Sequence, residues 1–142
     1  MDGVREEDMK PRVSFLIIML VLFAFSASAL TAEDLAGTYV GKWTDDLATG
    51  MVNRYDAVVV WEADSQVSTY RYIEFLGIYY ASGVTEVEED GLFVIGEGEA
   101  VGQVDLHGKH LRVVVHWRRG DIVEFKGHLS DKLPDWFVPQ DY

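Results

Sequence analysis

From residue 37 onward, the hydrophobic positions of this chain recur every second residue in short runs and nowhere every third to fourth. In 111–117, Leu111, Val113, Val115 and Trp117 fall on one side of an extended backbone, opposite Arg112, Val114 and His116. In 122–129, Val123, Phe125, Gly127 and Leu129 oppose Glu124, Lys126 and His128. Both read as strands with one buried and one wet face. Met51–Glu62 departs from this: Tyr55, Ala57, Val59 and Trp61 share a face, while Val58 and Val60 make the other partly apolar too. That strand is expected to be covered on both sides, with the C-terminal tail as the cover.

The full set of runs is Thr38–Thr44, Met51–Glu62, Val67–Leu76, Ile78–Ala81 passing into Val84–Glu88, Leu92–Glu97, Glu99–Leu106, Leu111–Trp117 and Ile122–Leu129. Turn residues separate them: Asp45-Asp46 with Gly50, Asp64-Ser65, Ser82-Gly83, Asp90-Gly91, His107-Gly108 and Arg119-Gly120-Asp121. Short links make sequential strands pair antiparallel. The fold expected is therefore all-β, an antiparallel meander of about eight strands. With no helix to cover a sheet, it closes on itself as a closed or partly open up-and-down barrel, with a small sandwich or half-open roll as the second choice. Thr31-Ala32-Glu33-Asp34 has the spacing of a helix start, and Gly37 limits it to one turn. The tail around Pro134-Asp135-Trp136-Phe137-Val138-Pro139 is too apolar for a free end, and its prolines exclude a central strand or long helix.

Ahead of the strands lies a different kind of segment. Lys10 and Arg12 precede an apolar stretch, Val13 to Phe25, and Ser26-Ala27-Ser28-Ala29 follows with small residues suited to a signal peptidase. Residues 1–29 are expected to be a signal peptide, or an uncleaved anchor, with 30–142 exported as one domain, periplasmic or extracellular. Without residues 1–29 the chain holds 20 acids and 9 bases, a net charge of −11. Such a domain is repelled by nucleic acid and by anionic lipid, so no nucleic-acid partner and no membrane contact beyond the signal segment are expected. Cysteine is absent, which excludes disulfides, thiolate metal sites and cysteine nucleophiles.

Gly37-Thr38-Tyr39-Val40-Gly41-Lys42-Trp43, a first strand carrying G-x-W after a helical turn, resembles the opening of the lipocalins and their calycin relatives. The resemblance implies a β-barrel in which the tryptophan packs at the closed end beneath a basic residue from the last strands. Gly41, Trp43 and Arg118 are the matching positions, with Arg112 or Arg119 as other sources of the cation. It also implies a small apolar or amphipathic ligand.

Aromatic residues make up 13% of the chain and cluster in its middle, which suits a ligand needing flat apolar surfaces with polar tips. The ligand-binding candidates are Tyr55, Trp61, Tyr72 and Phe75 for apolar contact, with Arg71 or Glu74 for polar orientation. Gly96-Glu97-Gly98 lacks a following helix and carries acids, so it is not a phosphate loop. His107, His110 and His116 flank a surface hairpin and are assigned no metal, and no cofactor is expected. No nucleophile–base arrangement stands out, so no catalytic residue is nominated. The reading is a noncovalent binder of a small ligand. The alternatives are an envelope interaction protein that docks through a sheet edge or the aromatic tail and, third, an enzyme using Tyr72 and Glu74.

Overall fold

The computed structural model describes residues 30–45, 50 and 52–139; the signal segment expected over 1–29 lies outside them. A single helical turn, α1 (Ala32–Leu35), opens the fold. Asp34 N–H donates to the Thr31 hydroxyl and Thr31 N–H to the Asp34 carboxylate, both at 3.1 Å, a reciprocal cap that makes so short a helix stable.

Eight strands follow: β1 (Gly37–Asp45), β2 (Asn53–Trp61), β3 (Gln66–Ile73), β4 (Gly77–Val84), β5 (Leu92–Ile95), β6 (Ala100–His107), β7 (His110–Trp117) and β8 (Ile122–Leu129). They form one antiparallel sheet in the order β4-β3-β2-β1-β8-β7-β6-β5. First and last strands are thus neighbours, with Gly41 opposite Gly127 and Trp43 opposite Phe125. The sheet curls into a half-barrel whose two free edges are β4 and β5. The expected rule that sequential strands pair fails only at this link. There, residues 85–91 cross one end of the sheet instead of making a hairpin, bonding Thr85 N–H to Ser65 O at 2.8 Å and accepting Val104 N–H on Gly91 O at 2.9 Å.

Two strand boundaries differ from the expectation. β3 stops at Ile73, because Leu76 N–H turns back to Ile73 O at 2.9 Å with Phe75 at φ 73° and Gly77 at φ 95°. Gly77 is the turn signal there, since a glycine at positive φ has no Cβ to clash. In the other direction, Ser82-Gly83 does not break β4, which continues to Val84; beyond it, 85–88 are not strand. An edge strand tolerates glycine, and Gly83 lies opposite Val67 with open space where a side chain would be.

The chain direction defines two ends. At the lower end are α1, Trp61, residues 85–91 and the β6–β7 hairpin; at the upper end are Trp43, the β3–β4 turn and the β5–β6 and β7–β8 hairpins. Leu35, Tyr39, Val104, Leu111 and Phe125 are almost wholly buried on the concave side, each contributing roughly 1.5–3 kcal/mol through removal from water. Phe93 lies over Gly102, its cross-strand neighbour, and Phe125 over Gly127, so the missing side chains make room for rings inside the curl.

Val58 is fully buried on the convex side, as expected of a strand covered on both faces. The tail lies on that side: Phe137 meets Tyr70 edge-on at 4.8 Å and Trp136 stacks on Tyr72 at 5.4 Å between ring centres.

Candidate ligand cavity

Side chains alternate across each strand, so the inward set follows from the register. β2 contributes Val59 and Trp61, β3 Val67, Thr69 and Arg71, β4 Tyr79 and Ala81, β5 Phe93 and Ile95, β7 Val113, Val115 and Trp117, and β8 Val123 and Phe125. Together with Trp43 they enclose a cavity of about 520 Å³, within the range of small-molecule sites. Small residues at Ala81 and Gly83, beside the unpaired β4 edge, leave it open on that side.

The deep part is apolar. Trp61 is 3% exposed and meets Phe93 edge-on, with ring centres 6.5 Å apart. Its indole N–H is buried and finds no acceptor among the described residues. An unmade bond at such a donor costs about 1–3 kcal/mol, and a ligand with an acceptor at that depth would recover it.

The upper rim is built differently, from two similar units. The Arg71 guanidinium lies between Trp43, 4.9 Å from its ring centre, and Tyr79, at 4.5 Å. It also faces Asp45 at 3.3 Å, whose carboxylate accepts the Trp43 indole N–H. Across the opening, Arg119 lies 5.1 Å over Trp117 and is paired with Asp121 at 2.6 Å. Each arginine lies over an indole, where the ring quadrupole favours a cation, with one carboxylate alongside.

The closure expected from the G-x-W resemblance is arranged otherwise. Arg118 does not reach Trp43; its guanidinium donates to Gly98 O at 2.9 Å and Glu97 O at 3.4 Å, tying the β7–β8 hairpin to the β5–β6 hairpin. Arg118 lies between Trp117 and Arg119, which line the cavity, and alternation turns it outward, while Arg71 takes the place over Trp43. Trp43 itself stands six residues up β1 from Gly37, about 20 Å from the end that α1 covers. At Gly41 a side chain would strike the Lys126 carbonyl, so β1 and β8 approach closely there.

Of the six ligand candidates, the structure brings Trp61 and Arg71 into the cavity. Tyr55 shares the inward phase of β2 and is half-buried opposite Trp43, outside the lining. Tyr72 lies on the opposite face of β3 from Arg71, stacked on the tail. Glu74 and Phe75 sit in the exposed upper turn, with Phe75 96% exposed. Tyr79, Phe93, Trp117 and Arg119 also line the cavity, beyond the six candidates read from the sequence. Trp117-x-Arg119-x-Asp121 carries the alternation one turn past the end of β7, and that spacing was the available signal.

Among the described residues no three histidine, aspartate or glutamate side chains converge as metal ligands. No protein-family model matches the sequence, and no curated protein is similar to it.

Proposed function

We propose that this chain is an exported, lipocalin-like binder of a small amphipathic molecule, held noncovalently in the concave cavity. Its apolar body lies against Val59, Trp61, Phe93, Val115 and Phe125, and its polar end reaches the rim between Arg71 and Arg119. The observation that carries this reading is the buried, unpartnered N–H of Trp61, a residue of the apolar deep part of a cavity whose rim is charged. A core shaped only for stability would fill the space or pair the donor. Native mass spectrometry of the protein purified without detergent is the test. The expected result is an added mass that leaves on denaturation, or uptake from a panel of fatty acids, sterols and aromatic acids that raises Tm and quenches tryptophan fluorescence. A clean apo mass with no response across the panel would overturn it.

One observation favours a second reading, an envelope protein that docks a partner strand: β4 and β5 each keep a free edge. The tail is less suited to docking, since Trp136 and Phe137 already cover the chain's own β3. Here Pro substitutions along β4 would abolish partner recovery and leave small-molecule uptake intact.

A further inference from the structure

The convex side of the sheet carries a charge arrangement that neither the core nor the cavity explains. Reading across β2, β1, β8, β7 and β6 in register, five residues stand directly opposite one another: Asp56, Lys42, Lys126, Arg112 and Asp105. Three cations are therefore consecutive cross-strand neighbours. The next row down places His128 opposite His110 and His110 opposite His107. These residues line an open groove of about 640 Å³ on the face away from the cavity. A third of the nine bases beyond residue 29 and three of the four histidines share this one patch, in a domain of charge −11.

Like charges directly opposite on a sheet destabilise it. The outer two are relieved sideways: Lys42 pairs with Asp56, and Arg112 with Glu124. Lys126 stands between them, exposed, with no ion-pair partner among the described residues. Local conflict of this kind, kept where a neutral residue would serve the strand equally well, marks a position shaped for something other than folding. The centre of the row is an uncompensated cation flanked by two more, with imidazole donors one row away.

We propose that this groove binds a compact, multiply charged oxyanion, a phosphate-type group, seated over Lys126 with Lys42 and Arg112 on either side and His128 and His110 below. A phosphate's several oxygens match donors that converge from three strands. The two acids that end the row, Asp56 and Asp105, restrict the site to one compact group and disfavour an extended polyanion. The site is independent of the cavity, since its side chains leave the opposite face of the sheet.

The experiment is histidine-resolved NMR of the purified protein, titrated with inorganic phosphate at constant pH against sodium chloride of equal ionic strength. His116 lies outside the groove and serves as the control within the molecule. The expected result is a saturable shift of the His107, His110 and His128 ring resonances with phosphate, while His116 does not move. Lys126→Gln should weaken this about tenfold or more, and Lys132→Gln, on the tail, should not change it. The stability readout separates a ligand role from a structural one. At low salt Lys126→Gln should melt no lower than the parent, because it removes a like-charge contact, and should lose the rise in Tm that phosphate gives the parent. Equal shifts with chloride, movement of His116 in parallel, or an unaltered response in Lys126→Gln would each overturn the proposal. Vesicles of phosphatidylcholine with and without phosphatidic acid identify the source. Cosedimentation only with phosphatidic acid places the group on a lipid, and a phosphate response without cosedimentation places it on a soluble molecule.

Discussion

The lower and upper ends of the half-barrel are finished with opposite chemistry. Below, Leu35 of α1 and Tyr39 of β1 turn inward and are 0% and 1% exposed, and the Tyr39 hydroxyl donates to Leu35 O at 2.9 Å. Above, Arg71 and Arg119 lie on Trp43 and Trp117 at a rim where Tyr79 is 54% exposed. An apolar seal with an internal hydrogen bond is what a sheet needs to keep water from its core. A rim of paired cations adds less to folding, because the exposed Arg119–Asp121 pair is worth at most about 1 kcal/mol and the Arg71–Asp45 pair is still partly open to water. The difference assigns stability to the lower end and leaves the upper one to the recognition proposed above.

The sharpest way to break that assignment is to hollow out the lower end. Leu35→Ala removes a fully buried side chain and is expected to cost about 3 kcal/mol in urea unfolding. Tyr79→Ala at the rim should cost well under half of that. Equal losses at the two positions would mean that the upper end is core as well.

Tyr39 gives a smaller, pH-dependent version of the same contrast. Burial raises its phenol above the ordinary value near 10. The folded state therefore holds this proton to higher pH than the unfolded chain does. Once the pH exceeds about 10 the unfolded state binds fewer protons, and stability falls as pH rises through that range. Tyr39→Phe should cost about 1 kcal/mol at neutral pH, through the lost bond to Leu35 O. It should also flatten the alkaline decline measured by thermal melts from pH 9 to 11. An unchanged alkaline slope would show that Tyr39 is not what seals this end.

How much of these two ends was legible in the residues depends on whether a feature is local. The capping box at Thr31, the alternation of Leu111–Trp117 and the two-sided burial of β2 at Ala57, Val58 and Val59 are set by near neighbours or by strand phase, and all are visible in the sequence. The tail over β3 was foreshadowed by its apolarity alone. The identity of the cation on Trp43 was not legible, because it depends on the register of β3 against β2 and β2 against β1, which carries Arg71 to the rim. Strand phase already sets Tyr72 and Arg71 on opposite faces, and the choice of Arg71 as the inward one rests on the register. The sequence allows a partly open barrel but does not place its edges at β4 and β5, since Asp90-Gly91 reads as a hairpin turn and only tertiary contacts of residues 85–91 make it otherwise.

Arg71→Met has the smallest expected effect on stability and tests recognition most directly. Methionine keeps an apolar stem of similar length between Trp43 and Tyr79 but removes the charge, and the Trp43 indole N–H still holds Asp45. Because the Arg71–Asp45 pair is partly open to water, unfolding should change by less than about 1 kcal/mol. On the proposed function, binding of an anionic amphiphile should weaken at least tenfold, while a neutral one of the same shape loses little, both read from tryptophan fluorescence. A large stability loss would move Arg71 to the structural side of the comparison, and equal weakening of both ligands would mean that it shapes the mouth without reading charge. A selective loss, with Leu35→Ala unfolding the protein and Arg71→Met leaving it folded, would separate the end that makes the barrel from the end that uses it.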